Sequence, residues 1–515
     1  MTASTPVATQ VAVKEAGVSP SHLAQKVGLG TRLASLLGGT PLAPAIGMDG
    51  GWLTYGELHG RVDQIAASLQ GLAVGERVGL YLDRTPDLVA SLLACLRLGL
   101  TFVPLEPDFP VERLQGIARQ ARLSAVLCDR GSDVPDFGCP RRALAELAES
   151  EPGGVRRGAP SYPLVDDALA AYMMFTSGST GEPKGVVISR RALLCFLDGI
   201  RERLGLTPGC HWLFITTPAF DISLLEMLGP LWSGGRLTVA GNQHNKDPLG
   251  MMALLAADRT INWLQATPAC WRMLLKAGWQ GDDSLTALCG GEALDLGLAE
   301  QLCNRTQRLW NCYGPTEATV WSLVSEVRMP PAGGRITVGN SLPGYRHWVL
   351  DAAGQSVGEG EEGELCIESP ALCEGYWRKP ALTTAAFLRL DNHRLYRTGD
   401  RVRKLGSDSF LYLGRRDDQI KLRGFRIELG EVEAGLRRQP GVQEAAVRLI
   451  GEGDDAMLVG YVEAKAGVVL NRLALRKGLQ ASLPHYMVPA RILLLDALPK
   501  TGSGKLDRKA LPLPE

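Results

Sequence analysis

Apolar residues recur every three to four positions in YGELHGRVDQIAASL and PDLVASLLACLRLGL, and this spacing predicts two amphipathic helices between Leu53 and Val103. The short runs RVGLYL and FVPL that follow each of them are aliphatic and β-branched, and predict buried strands. The same alternation continues from Ile261 to Trp310. Helices alternating with strands predict an α/β fold on a mainly parallel sheet. Between Arg335 and Tyr376 the pattern shortens to RITVGNSL, HWVLDAAGQSV and GELCIES, separated by Gly turns, which predicts a β-rich subdomain. From about Asp417 to Leu511 the order is helix (ELGEVEAGLRR), strand (EAAVRLI), strand (MLVGYVEAK), helix (RLALRKGLQASL), enough for a small α+β domain. The predicted division is a polar leader over residues 1–28, a large N-terminal α/β domain over 29–416, and a small C-terminal domain over 417–515.

Composition narrows the class of partner. The chain has 515 residues, with 55 basic and 55 acidic side chains, so no overall field favours nucleic acid. No apolar run is long enough to span a bilayer, and the leader lacks the features of a signal peptide. The 11 cysteines are scattered without a CxxC pair, and some, such as Cys95 and Cys366, sit in apolar runs. Reduced core thiols and a cytoplasmic location are expected.

Two glycine-rich stretches invite a phosphate-binding reading. Gly358 to Gly363 spells GxGxxG, but it precedes a strand, opens no helix and carries acids where a pyrophosphate would approach, so a hairpin turn is expected. The run FTSGSTGEPKGV, Phe175 to Val186, is different. Gly178, Gly181 and Gly185 allow tight turns with outward amides, Thr176, Ser177, Ser179 and Thr180 add hydroxyls, and Lys184 adds a charge. It is not the P-loop of NTPases, since Pro183 precedes the lysine and no Ser or Thr follows it.

This run resembles the signature of the acyl-adenylate-forming superfamily, and the resemblance extends over about residues 30 to 510 in the family's order. It includes LTYGEL from Leu53, FDISLLEM from Phe220, NCYGPTEAT from Asn311, YRTGD from Tyr396, GRRDDQIKLRGFRIELGEVE from Gly414 and TGSGKLDR from Thr501. Its wording is similar to the amino-acid adenylation domains of nonribosomal peptide synthetases, including stand-alone ones. The resemblance implies a reaction in which a carboxylate attacks the α-phosphate of ATP, pyrophosphate leaves, and a thiol then takes the acyl group. Both transition states gather negative charge, so positioning and neutralisation dominate.

Site roles follow from the resemblance, position by position. Thr176, Ser177, Gly178, Ser179, Thr180, Gly181 and Lys184 hold the β/γ-phosphates. Glu317 helps to hold Mg²⁺; taken alone it could as well be an acid at a helix N-terminus. Tyr313 stacks on adenine, with Gly291, Glu292, Asn311, Gly314 and Thr316 nearby, Asp400 accepts from the ribose hydroxyls, and Arg415 reaches ribose or phosphate. Lys505, by itself an ordinary solvated lysine, matches the catalytic lysine that bridges the substrate carboxylate and the α-phosphate. Asp417 marks the hinge about which the small domain turns to exchange the lysine loop for the surface around Gly424.

The same correspondence gives the acid to be activated. Asp221 matches the carboxylate that pairs with an α-ammonium; alone it reads equally as a helix N-cap. Ile222, Leu225, Gln265, Leu288, Gly290, Cys312, Val320 and Trp321 complete the pocket with Lys505, and only Asp221 and Lys505 carry charge. The set resembles glycine-activating domains, with Cys312 in place of the usual aliphatic residue leaving alanine open. Asp221 argues against an acyl- or aryl-CoA ligase, because an unpaired buried carboxylate would be penalised. The intact Lys184, Glu317, Asp400 and Lys505 argue against an inactive nucleotide-binding homologue. With no Gly-Ser attachment motif after Lys505, a separate phosphopantetheinyl carrier protein is the expected acceptor.

Overall fold

The computed structural model describes residues 28–129, 134–149, 165–178, 181–242, 247–451, 453–502 and 505–514. Ser179, Thr180 and nearly all of the expected leader lie outside the described residues.

The two strongest periodic segments form helices Tyr55–Ser68 and Pro86–Leu98. Thr54 and Glu57 close a reciprocal capping box on the first, while Pro86 opens the second and Gly99, in the left-handed region at φ 72°, ends it. Nine consecutive residues of the second helix, Leu88 to Leu96, are buried, which explains why its sequence is apolar on every face.

Among the described residues two large mixed sheets carry the N-terminal part. One runs Gly375–Tyr376, Lys184–Ser189, Ala170–Thr176, Thr101–Pro104, Arg77–Tyr81, Ala125–Cys128, Arg141–Ala143 in spatial order. The other runs Leu323–Val327, Thr306–Tyr313, Asp282–Gly290, Trp263–Ala266, His211–Phe214, Arg236–Val239, Pro44–Met48, Gly51–Thr54. Interior neighbours are parallel and the antiparallel pairs lie toward the ends, in keeping with helical crossovers. A third, antiparallel sheet is built on the long strand His393–Lys404.

The β-rich expectation holds for Arg346–Leu350 and Glu362–Glu368, which pair antiparallel with Gly358 to Gly363 at their connection. It fails for RITVGNSL, which makes one isolated bridge, Leu323 to Ser341, and otherwise runs as loop. That segment lies beside Leu323–Val327 and divides its backbone hydrogen bonds between Ser322 and Val324, through Leu342 and Asn340, and Phe410, through Val338, so no continuous ladder forms with either side.

The small domain packs helices Leu429–Arg437 and Arg472–Gln480 with the sheet Val442–Ile450, Met457–Ala464, Arg491–Leu495. Before it, Gln419–Leu422 and Phe425–Glu428 form a two-stranded hairpin turning at Arg423 and Gly424. All 11 cysteines are free, and Cys95 and Cys366 are buried as expected. No helix among the described residues is long and apolar enough to cross a membrane.

Candidate active site

A cleft opens where the C-terminal edges of the parallel strands meet the hairpin. Its walls include Thr176, Ser177, Asp221, Ile222, Gly291, Tyr313, Gly314, Thr316, Trp321, Asp400 and Arg415 from the large domain, and Lys421, Gly424, Arg426 and Tyr486 beyond Asp417.

The glycine-rich loop is the turn of a β-hairpin, with Thr176 opposite Lys184 in the register. Gly178 has no room for a side chain, since a Cβ would lie 1.9 Å from the Glu182 carbonyl oxygen. Its amide donates to Glu431 (3.0 Å), and the Ser177 hydroxyl donates to the Arg426 carbonyl (2.9 Å). The Thr176 hydroxyl is buried with no hydrogen-bond partner, facing the cleft. The glycine-rich loop is thus held by an acid of the small domain in this arrangement. Glu431 is itself paired with Arg113 at 2.6 Å.

Glu317 sits in the single 3₁₀ turn Thr316–Ala318 and is fully buried. Arg426 donates to it at 2.6 Å and the Tyr376 hydroxyl at 2.8 Å, and the Lys184 ammonium stands 3.8 Å away. Burial alone would raise its pKa, but Arg426 and Lys184 outweigh it and bring it down to about 2. As an ionised oxygen donor beside the glycine-rich loop, Glu317 fits a hard cation such as Mg²⁺, with its Oε2 held by Arg426 and its Oε1 by Tyr376 in this arrangement. Among the described residues no group of three or more His, Cys, Asp and Glu forms a metal cage.

Asp400 accepts from the Tyr313 hydroxyl at 2.5 Å and from Arg415 at 2.7 Å. Lys421 lies over the Tyr313 ring at 5.3 Å, and Asn311 donates to the Thr337 carbonyl. Glu292 is half-buried, close enough to Lys421 to favour its charge. Arg415 also grips Asp417 through two nitrogens, at 2.7 and 2.8 Å, while neighbouring Asp418 pairs with Arg508 of the small domain. Two adjacent acids therefore tie the connection to opposite sides.

At the inner end, Asp221 is buried but does not cap a helix: Ser223–Trp232 starts after Ile222 without a side-chain cap. The Thr316 side chain and the Ile222 backbone favour its charged form, while Oδ2 is buried without a hydrogen-bond partner. Burial pushes Asp221 up to about 6. Trp321 closes the floor. It is brought there by Thr319 and Val320, both β-branched and both in the left-handed region at φ 58° and 70°. The Thr319 hydroxyl anchors this kink on the Ala371 carbonyl at 2.6 Å. Gly290 lets the indole pass, as a Cβ would come within 2.6 Å of Trp321 Cη2. Of the expected pocket residues, Asp221, Ile222 and Trp321 line the cleft, and Gln265 and Gly290 meet the indole, Gln265 by accepting from its nitrogen and Gly290 by packing against its ring. Leu225, Leu288, Cys312 and Val320 are buried and do not line the cleft in this arrangement.

Lys505 is not brought to the cleft. It is exposed on a loop whose flanks, Lys500 and Leu506, form a bridge, and the hairpin around Gly424 faces the site instead. Gly424 packs against Gly291 and Thr267 so closely that a Cβ would meet Thr267 at 2.3 Å. Sequence reading also missed Arg426, Tyr376 and an aromatic cluster at the mouth. In that cluster Phe425 stacks on Tyr486 (3.9 Å between centroids) and Phe220 meets both.

Comparison with known proteins decides the class. Residues 37–377 match the AMP-binding enzyme family, and residues 431–505 match the AMP-binding enzyme C-terminal domain. The chain belongs to the AMP-binding enzymes. This adenylation domain is 36% identical over 494 residues to a dimodular nonribosomal peptide synthase of Bacillus subtilis (strain 168), covering 92% of the chain but 20% of the synthase. It is 35% identical over 481 residues to a syringomycin synthase of Pseudomonas syringae pv. syringae, covering 90% of the chain and 78% of that protein. A four-domain nonribosomal peptide synthetase, solved bound to AMP and glycine, superposes with a TM-score of 0.70 at 38% identity, over 95% of the chain and 36% of the synthetase. The chain thus spans only a fifth to two fifths of several large relatives. It is an adenylate-forming ligase of the nonribosomal-peptide-synthetase adenylation type.

Proposed function

We propose that the chain adenylates glycine and passes the glycyl group to the phosphopantetheine thiol of a separate carrier protein. The observation that carries this reading is the buried, unpartnered Oδ2 of Asp221 at the end of a cleft shut by Trp321. An α-ammonium would supply the missing partner, and an acid without one would leave a buried charge exposed to its full desolvation penalty. The bulk of the Trp321 indole in the lining of the same cleft as Asp221 favours a substrate without a side chain. A four-domain relative holds glycine and AMP, and another relative joins adenylation and carrier domains, in agreement with both halves of the proposal.

In this reading Lys184, the Gly178 amide and the Thr176, Ser177 and Thr180 hydroxyls hold the phosphates, and Glu317 holds Mg²⁺. Tyr313 stacks on adenine and Asp400 takes the ribose. Lys505 enters to neutralise the oxygens at the α-phosphate and then leaves; the approach of Gly424 to Gly291 corresponds to the thiol-transfer half. Trp321→Ala tests the floor. Overpacking typically costs about 1 to 3 kcal/mol, so opening the floor should raise alanine and serine activation roughly tenfold or more. A variant that loses glycine and gains neither would contradict it.

A further inference from the structure

Behind the floor lies a buried acid that neither half-reaction uses. Glu226, on helix Ser223–Trp232, is fully inaccessible. Its Oε2 accepts from the Ile215 and Thr216 amides at 2.8 and 2.9 Å, and its Oε1 accepts from the Thr216 hydroxyl and from Gln265 Nε2 at 2.8 Å. Four donors converge on one carboxylate, with Arg84 near enough to add a favourable charge. This surrounding demands the anion, because a protonated Glu226 would set a hydroxyl against a donor. Burial nonetheless pushes its pKa up to about 7.

Gln265, on strand Trp263–Ala266, donates its amide hydrogens to Glu226 and to the Ile222 carbonyl (2.9 Å), and its Oε1 accepts from the Trp321 indole nitrogen at 2.9 Å. A flipped amide would turn its oxygen toward two acceptors and its NH₂ toward the indole N–H. Glu226 therefore dictates which way the amide faces. The amide in turn joins the two ends of the substrate space: Ile222, next to Asp221, and Trp321 across the floor.

We propose that Glu226 is a positioning residue for substrate selection, setting the depth of the pocket by orienting Gln265 so that Trp321 stays pinned across its floor. This rests on the small-amino-acid reading above. It assigns to Glu226, which touches no substrate, a share in discrimination between glycine and longer amino acids. It is the one glutamate of the apolar run SLLEMLGPLW, and its local pattern alone assigns it no role.

The test is Glu226→Gln, isosteric and neutral, assayed by substrate-dependent ATP–pyrophosphate exchange at about pH 8, above the value of about 7 for the wild-type acid. The substituted side chain keeps its oxygen on the two backbone amides and turns its NH₂ to Gln265, which must flip and set donor against donor at Trp321. The glycine-to-alanine ratio in kcat/KM should fall about tenfold, the kinetic equivalent of one lost buried hydrogen bond, with the KM for ATP unchanged. Trp321→Phe should lower the ratio likewise, and adding Glu226→Gln to it should change little more, since the two act through one contact. Glu226→Asp, which keeps the charge and withdraws it by one methylene, should move the ratio the same way and serves where Glu226→Gln does not fold. An unchanged ratio in the folded variants, or an equal loss for every amino acid, overturns the assignment. Should wild type prefer another acid, the glycine reading fails by itself. Glu226 is then judged on the ratio between that acid and its homologue longer by one methylene, which a positioning role shifts and its absence leaves fixed.

Discussion

Asp221 holds its position at a cost in stability. A carboxyl whose pKa is raised by burial from 3.8 to about 6 binds more protons folded than unfolded over that interval. The associated stability is complete below about pH 4 and lost as pH rises through 6, a difference on the order of 3 kcal/mol. At neutral pH the pocket therefore carries a destabilising charge that an ammonium would compensate. Asp221→Asn should raise the melting temperature at pH 7 while amino-acid-dependent exchange is lost, as calorimetry and exchange would measure. In wild type, kcat/KM for the amino acid should fall about tenfold per pH unit below about pH 6, as the carboxylate that pairs with the ammonium is protonated. A profile flat down to pH 5 would mean that no ammonium pairs with Asp221.

Individual residues differ in how far the sequence discloses them. Asp221, Glu317 and Asp400 lie in strings similar to a known family and Trp321 two residues beyond one, and the structure places all four at the cleft or on its lining side chains. Arg426 sits in a matching string too, but its partner is 109 positions away and no local pattern pairs them. Tyr376 and Glu317 are separated by 59 positions. Leu225, Leu288 and Cys312, expected as walls, are buried and do not line the cleft in this arrangement.

Helices and parallel strands are legible wherever burial is regular, as in Pro86–Leu98, and caps such as Thr54 fix their ends. RITVGNSL misleads because its backbone hydrogen bonds are divided between Ser322 and Val324 on one side and Phe410 on the other and never build a ladder, which alternation alone does not reveal. The hairpin Gln419–Glu428 escapes notice because it is stabilised by what it docks on, through Ser177 and Glu317, more than by its own pattern. Its connection is clasped by Asp417 on Arg415 and Asp418 on Arg508, one acid to each side. Turning the small domain requires that backbone to rotate. Asp417→Pro restricts φ and removes the Arg415 pair, so adenylation should persist while loading of a carrier thiol drops, on the order of tenfold or more. Separate assays of exchange and of acylated carrier measure this; equal loss of both would indicate misfolding rather than a hinge.

At the scale of the molecule, the proposed mechanism has the two ends of the small domain take turns at one cleft. The hairpin carrying Gly424 and Arg426 occupies it, with Glu431 on the glycine-rich loop, and Lys505 is exposed outside. Arg426 sits on the carboxylate that would hold Mg²⁺, and Glu431 on an amide that would hold phosphate, so ATP binding and this arrangement exclude each other at two points. Lys505→Ala should accordingly reduce adenylate formation by well over tenfold, a loss above about 1.4 kcal/mol, yet spare thiol transfer from a supplied acyl-adenylate. Single-turnover measurements of each half-reaction would separate the two.

The central claim, a pocket built for the smallest amino acid, is reached most directly by ATP–pyrophosphate exchange of the wild-type protein with a panel of amino acids, benzoate and a fatty acid. Glycine should lead alanine by roughly tenfold to a hundredfold in kcat/KM, with larger and non-amino acids near background. Preference for a large, charged or non-amino acid would contradict it.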